Sequence, residues 1–235
     1  MKTVIIGEKY GELLEKPLRK LNLDVLLIPD NPCINKNLSG HADLSCFYSG
    51  KLYMAPYLKN SEFAKKVSRL AKETEFISSI QGEKYPNDVQ LNVFSNKNCF
   101  ICNEITASEQ IVEYLTNEGK YHIAVNQGYA NCCCLAVGES GIITSDPGIY
   151  NAVLNSNLFD NPLFISSGFI DLPGFDCGFI GGSAINISDC LIAFTGSFEA
   201  HPDKNKILSY LDRHNVEYRF LTDLPIFDIG GGFVI

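Results

Sequence analysis

The chain has no run of lysines and arginines. It carries 19 basic against 27 acidic residues, a formal charge of −8. Binding to a phosphate backbone requires a basic patch, so no nucleic-acid partner is expected. No apolar stretch approaches the roughly 18 residues of a membrane span, and no membrane partner is expected. VIIG at 4–7 is too short for the core of a secretory leader, and charged residues follow at once. These absences point to a soluble, cytoplasmic protein. An even cysteine set is also missing. Nine cysteines do not suit a disulfide framework, and thiols in a reducing compartment stay free. Cys99 and Cys102 form a C-x-x-C inside the strand-like CFIC with no second pair, while His122, His201 and His214 lie on separate elements. That is not a zinc signature, and no metal is expected. The glycine-rich GFIGGSA (178–184) and DIGGG (228–232) lack a following helix with a lysine, so they are not phosphate loops and no organic cofactor is implied. Nothing in the sequence specifies an oligomer. A globular composition over 235 residues remains, 46% hydrophobic and 20% charged.

What is present is a rhythm. HADLSCFYSGKLYMAP (41–56), DVQLNVFSNKNCFICN (88–103), CCCLAVGESGIITSD (132–146) and SAINISDCLIAFTG (183–196) each read as a strand, a turn dipeptide and a second strand. A segment with helical character follows each one, at 61–73, 108–119, 147–157 and 202–214. Ser61 and Ser108 suit N-caps, and Pro147 and Pro202 suit a first helical turn. A short strand then closes the unit, at 75–80, 121–125, 162–166 and 216–221. The unit is ββαβ. The chain ends assemble a fifth from GGGFVI (230–235), TVIIG (3–7), a helix over 11–21 carrying an awkward Pro17, and DVLLIP (24–29). The pattern predicts a single domain over 1–235. Its units are 40–87, 88–131, 132–179, 180–229, and 230–235 plus 1–39. The architecture is an α/β five-bladed propeller whose ring is closed by the terminal strands. An open α/β sheet is the alternative, but regular alternation of hairpins with helices favours the ring.

In such a ring the opening strands line the middle. Eight positions ahead of three of the turns stand His41, Asp88 and Cys132. A thiol, a proton-transfer base and an acid to orient the base are what nucleophilic catalysis needs, so these three are the candidate catalytic residues. Asp43, two positions after His41, is expected on the same strand face. Cys132 and Cys134 are expected to share one face, with Cys133 packed outward under a helix. Buried inert thiols are common, and a lone histidine is more often structural, so inert roles for Cys132 and His41 stand beside the catalytic ones. Asp88, in YPND, also suits a capped turn.

Those residues, with QGYANC (127–132), SDPGI (145–149), LPGFDCGFIGG (172–182) and HPD (201–203), resemble the pentein, or guanidine-modifying enzyme, superfamily. More specifically, the whole chain is similar to an uncharacterised bacterial family with that fold. The resemblance implies that GHAD supplies a catalytic His41 and a cation-binding Asp43, and that Cys132 is the nucleophile. Asn131 stands where the enzymes commonly have His. Ser183 follows Gly181-Gly182 where they carry a second carboxylate. Asp43, Asn131 and Ser183 are therefore the candidate substrate-binding residues, and free arginine is expected to bind poorly. The implied activity is cysteine-dependent hydrolysis or transfer at a C–N bond of a small amidine-like substrate. The alternative within the same fold is a non-catalytic binding ring. Beside His41, Cys132 is expected to be the most thiolate-like of the nine cysteines.

Overall fold

The computed structural model describes residues 2–235. Fifteen short strands form five separate three-stranded sheets. The first sheet joins β1 (Thr3–Gly7) to β2 (Asp24–Ile28) in parallel and to β15 (Phe233–Val234) in antiparallel. The second contains β3 (Cys46–Ser49), β4 (Lys51–Met54) and β5 (Glu73–Phe76). The third contains β6 (Phe94–Ser95), β7 (Cys99–Cys102) and β8 (Tyr121–Ala124). β9 (Cys134–Val137), β10 (Gly141–Thr144) and β11 (Leu163–Phe164) form the fourth. β12 (Ala184–Ser188), β13 (Leu191–Phe194) and β14 (Glu217–Phe220) form the fifth. In every sheet the first two strands are antiparallel and the last two parallel, as the ββαβ reading predicts. The join of the chain ends is also as predicted. Val4 pairs with Val234 and Ile5 with Phe233.

The parallel pairs are bridged by helices: α1 (Gly11–Arg19), α2 (Glu62–Val67), α3 (Glu109–Asn117), α5 (Pro147–Ser156) and α6 (Lys204–Arg213). Their starts follow local chemistry. Ala64 N donates to Ser61 Oγ at 3.0 Å, and Ile149 N donates to Asp146 Oδ1 at 2.8 Å with Pro147 in the first turn. Ser108 occupies the N-cap of α3 without a side-chain cap bond, and α6 starts two residues after Pro202. α1 continues through Pro17.

The core is divided as regularly as the sheets. One apolar cluster joins Ile5 and Ile28 to Leu52 and Met54, and a second joins Phe47 and Tyr53 to Val93 and Phe100. A third joins Phe94 and Ile101 to Cys133 and Ile142. Leu135 and Ile143 pack with Ile192 and Phe194, and Ile185 and Ala193 pack with Val4 and Ile6. Each sheet thus buries its two faces against two different neighbours. A three-stranded sheet cannot bury enough apolar surface alone, so each unit depends on the next for its stability. Among the described residues, no helix is long and apolar enough to cross a membrane.

Candidate active site

The chemistry-bearing residues lie on turns just ahead of the opening strands, not on the strands themselves. Ala42–Leu44 is a single 3-10 turn entered from His41. Ala130–Cys133 is a single helical turn, α4. The expected strand alternation therefore does not apply here. His41 and Asp43 meet because the chain coils tightly between them, and Cys132 precedes the strand that begins at Cys134. Cys133 is buried among Phe94, Cys99 and Val153, and Cys134 is buried at the start of β9.

The Cys132 thiol donates to Asp43 Oδ2 at 2.9 Å. Asn131 Nδ2 donates to the same oxygen at 3.0 Å. Asn92 holds the turn from the other side. Its Oδ1 accepts from the backbone N–H groups of Asn131 at 2.8 Å and Cys132 at 3.1 Å, and its Nδ2 lies 3.2 Å from the sulfur. His41 Nδ1 is 3.9 Å from Asp228 Oδ1. One donor atom each from His41, Asp43 and Cys132 lie within 4.8 Å of one another. A mixed N, O, S set of that kind could also hold a zinc ion.

All three side chains are buried, and two of their polar atoms, His41 Nε2 and Asp43 Oδ1, have no hydrogen-bond partner within the protein. Burial dominates the electrostatics. It lifts the Asp43 carboxyl to about 7, against the bonds from Cys132 and Asn131 that favour its ionised form. Burial, and then the Asp43 charge, push the Cys132 thiol well above its ordinary value. Burial lowers His41 despite the nearby Asp228. At neutral pH the resting site therefore holds a neutral thiol against a carboxyl that titrates in that range, with a neutral imidazole alongside. This corrects the expectation of a thiolate paired with His41. The partner of Cys132 is Asp43, and a carboxylate disfavours sulfur ionisation where an imidazolium would favour it.

Of the other residues singled out in the sequence, Asn131 is in the cluster. Asp88 is buried nearby but bonds Tyr129, whose hydroxyl donates to Asp88 Oδ2 at 2.5 Å. The carboxylate within 4 Å of His41 is Asp228 instead. Ser183 is fully buried and donates to Ile180 O at 2.9 Å, so its hydroxyl is committed to its own turn. Two residues escaped sequence reasoning, Asn92 and Asp228. Asp228 opens DIGGG, and the glycines around it were the available signal. A Cβ at Gly182 would overlap the Asp228 carboxylate. A Cβ at Gly230, whose φ is +70°, would overlap His41. Only glycine lets the two loops close on this pair. Phe179 N and Gly230 N each donate to Asp228 at 2.8 Å, which fixes the carboxylate.

A cavity of about 280 Å³ opens over the cluster and is lined by His41, Cys132 and Asp228. Asp43 does not line it. Together with Asn131, Asp43 lines a separate, smaller cavity of about 80 Å³. Cys132 thus stands between the larger cavity and the carboxylate that accepts its hydrogen bond.

A sequence family of unknown function, DUF6873, matches residues 5–233. The chain belongs to that family. No curated protein matches this DUF6873 member in sequence. Solved structures match it in shape. A dimethylarginine dimethylaminohydrolase from Pseudomonas aeruginosa, complexed with citrulline, is 10% identical with a TM-score of 0.57, covering 99% of this chain and 98% of that one. A dimethylarginine dimethylaminohydrolase adduct with 4-chloro-2-hydroxymethylpyridine is 10% identical with a TM-score of 0.59, covering 94% and 92%. An amidinotransferase from Microseira wollei in the saxitoxin biosynthetic pathway is 7% identical with a TM-score of 0.53, covering 97% and 94%. The fold of this DUF6873 member is that of the pentein superfamily, as its sequence motifs imply.

Proposed function

We propose that this protein is a cysteine-dependent enzyme that cleaves or transfers at a C–N bond of a small amidine-like substrate. The observation that carries the reading is the buried Cys132–Asp43–His41 cluster, of which Cys132 and His41 line a cavity while Asp43 lies behind the thiol. Burying a carboxylate, a thiol and an imidazole with two of their polar atoms unpartnered costs stability, and a fold keeps such a cluster when the cluster performs chemistry. The pentein fold, shared with a dimethylarginine dimethylaminohydrolase and an amidinotransferase, is consistent with that chemistry without deciding it.

In this reading the five sheets surround a common centre as a closed ring. The chain of apolar clusters that returns from the fifth sheet to the first supports it. So do hydrogen bonds that pass between neighbouring turns. Gly182 N donates to Cys132 O, Gly231 N to Gly182 O, and Asp43 N to Gly230 O. The whole chain then acts as one domain of five units.

In the proposed mechanism Asp43, which accepts the hydrogen bond of the Cys132 thiol, is the base to the nucleophile. A carboxyl held near 7 is well matched to take a proton at neutral pH. An amidinium in the cavity meets Asp228 and supplies positive charge beside Cys132, which favours the thiolate. As the sulfur bonds to the amidine carbon, its proton passes to Asp43, on to His41, and then to the leaving nitrogen, and the C–N bond breaks. In hydrolysis, His41 takes one proton from the attacking water and returns it to the departing sulfur. The second water proton leaves to solvent, and the products are an amide or ureido group and an amine. Asp228 orients His41, Asn92 and Asn131 hold the Cys132 turn, and Asp88 supports Tyr129 in the cavity wall. The test is incubation with a panel of amidines and guanidines, reading ammonia release and the mass of the Cys132 peptide. Turnover with a covalent adduct that vanishes in Cys132→Ser is expected. Turnover that survives Cys132→Ser would overturn the mechanism.

A further inference from the structure

The wall of the larger cavity carries information that its floor does not. Above His41, Cys132 and Asp228 it is built mainly from Leu38, Tyr129, Leu172, Phe175 and Phe179, joined by Cys177, by Gln127, whose amide already donates to Asp146 Oδ2, and by Asp176 at the exposed rim. Among the described residues, none that lines it is Lys or Arg. Lys9 is close enough for its charge to lower His41, but its own amine reaches outward, 3.4 Å from Asn37 O on the exposed surface. A carboxylate placed in this wall would meet aromatic and aliphatic carbon and the charge of Asp176, with no donor fork to receive it. An apolar body would instead gain by leaving water. About 280 Å³ accommodates a ring or a short branched chain beyond the amidine head.

We infer that the site, given the activity proposed above, takes a monocationic amidine or guanidine whose substituent is apolar and carries no carboxylate. It is a poor site for an amino-acid guanidine. The amidinium is received by Asp228 at the floor, and the substituent lies between Tyr129 and the 172–179 loop. Tyr129 is itself held by its bond to Asp88, so Asp88 is a positioning residue for this wall. Phe175 is 43% exposed at the cavity edge and tolerates replacement without emptying the core.

Equilibrium binding to the Cys132→Ala protein separates this inference from the catalytic one, because it needs no turnover. Benzamidine and L-arginine are the probes, measured by calorimetry at fixed salt. Benzamidine is expected to bind at least tenfold more tightly. Phe175→Arg, introduced into the same background, places a cation in the wall and is expected to narrow that ratio at least tenfold by tightening arginine. Arginine binding as tightly as benzamidine to the unaltered cavity would overturn the inference. So would a failure of both probes to bind, or a Phe175→Arg protein whose ratio is unchanged although circular dichroism shows it folded. Binding as expected without any turnover of amidines by the Cys132-containing protein would sink the proposed reaction while leaving the selectivity intact.

Discussion

Asp43→Asn should stabilise the protein at neutral pH while removing activity, and the size of the effect can be worked from the site. The Asp43 carboxyl is raised from 3.8 to about 7, chiefly by burial. Unfolding returns it to water and its ordinary value. Between pH 4 and pH 7 the folded state therefore holds a proton that the unfolded state has lost. The folded state binds more protons, so stability falls as pH rises across that window, and the loss is complete above about pH 7. At about 1.4 kcal/mol per pH unit, the interval amounts to a loss on the order of 4 kcal/mol. Asparagine has nearly the same shape and no charge. Its oxygen can still accept from Asn131 and Cys132, as Asp43 Oδ2 does now. Its amide would occupy the place of Oδ1, which already lacks a partner, so part of the gain is offset by an unpaired donor. Urea unfolding of both proteins from pH 4 to pH 8 is the assay. The two should be close in stability near pH 4 and diverge steadily, with the variant ahead by a few kcal/mol at pH 8. Parallel stability curves across the range would refute the burial argument. Ammonia release from any amidine substrate should be lost in the variant, since the thiol no longer has a base.

Removing Phe233–Ile235 deletes the β1–β15 pairing and the two backbone bonds between Thr3 and Ile235. A loss of about 2–5 kcal/mol in chemical denaturation is expected, and unchanged stability would show that the join of the chain ends contributes little. Gly182→Ala drives a methyl group into the Asp228 carboxylate. It should cost about 1–3 kcal/mol and slow adduct formation at Cys132, measured by denaturation and by peptide mass. In the ligand-free protein, iodoacetamide near pH 7 should modify the exposed Cys33 and Cys190 well before the buried Cys132. Peptide mapping in which Cys132 leads would restore the thiolate pairing that the structure argues against.

Much of the architecture was written in local chemistry. Alternating runs broken by Ser49-Gly50 or Ser140-Gly141 can hardly fold except as hairpins. TVIIG and GGGFVI at opposite ends of the chain are each half of a unit, so their pairing followed from counting. His41 and Cys132 were likewise visible, because they recur at one place in the repeat; Asp43 was visible as the residue two after His41, and Asn131 through the family resemblance. The roles among them were not visible. Sequence spacing says which turn a residue occupies but not how sharply that turn coils. Once Ala42–Leu44 tightened into a 3-10 turn, Asp43 met the sulfur, and the thiol became a buried neutral donor. The partner of His41 came from Asp228, which no motif joins to it and which reaches it through glycine loops folding together. Ser183 turned its hydroxyl into its own backbone and Asp88 took up Tyr129. Charge state depends on burial and on neighbours distant in sequence. Residue types and their periodicity determined the candidates and the frame, while tertiary packing alone decided which carboxylate faces the thiol and which the imidazole.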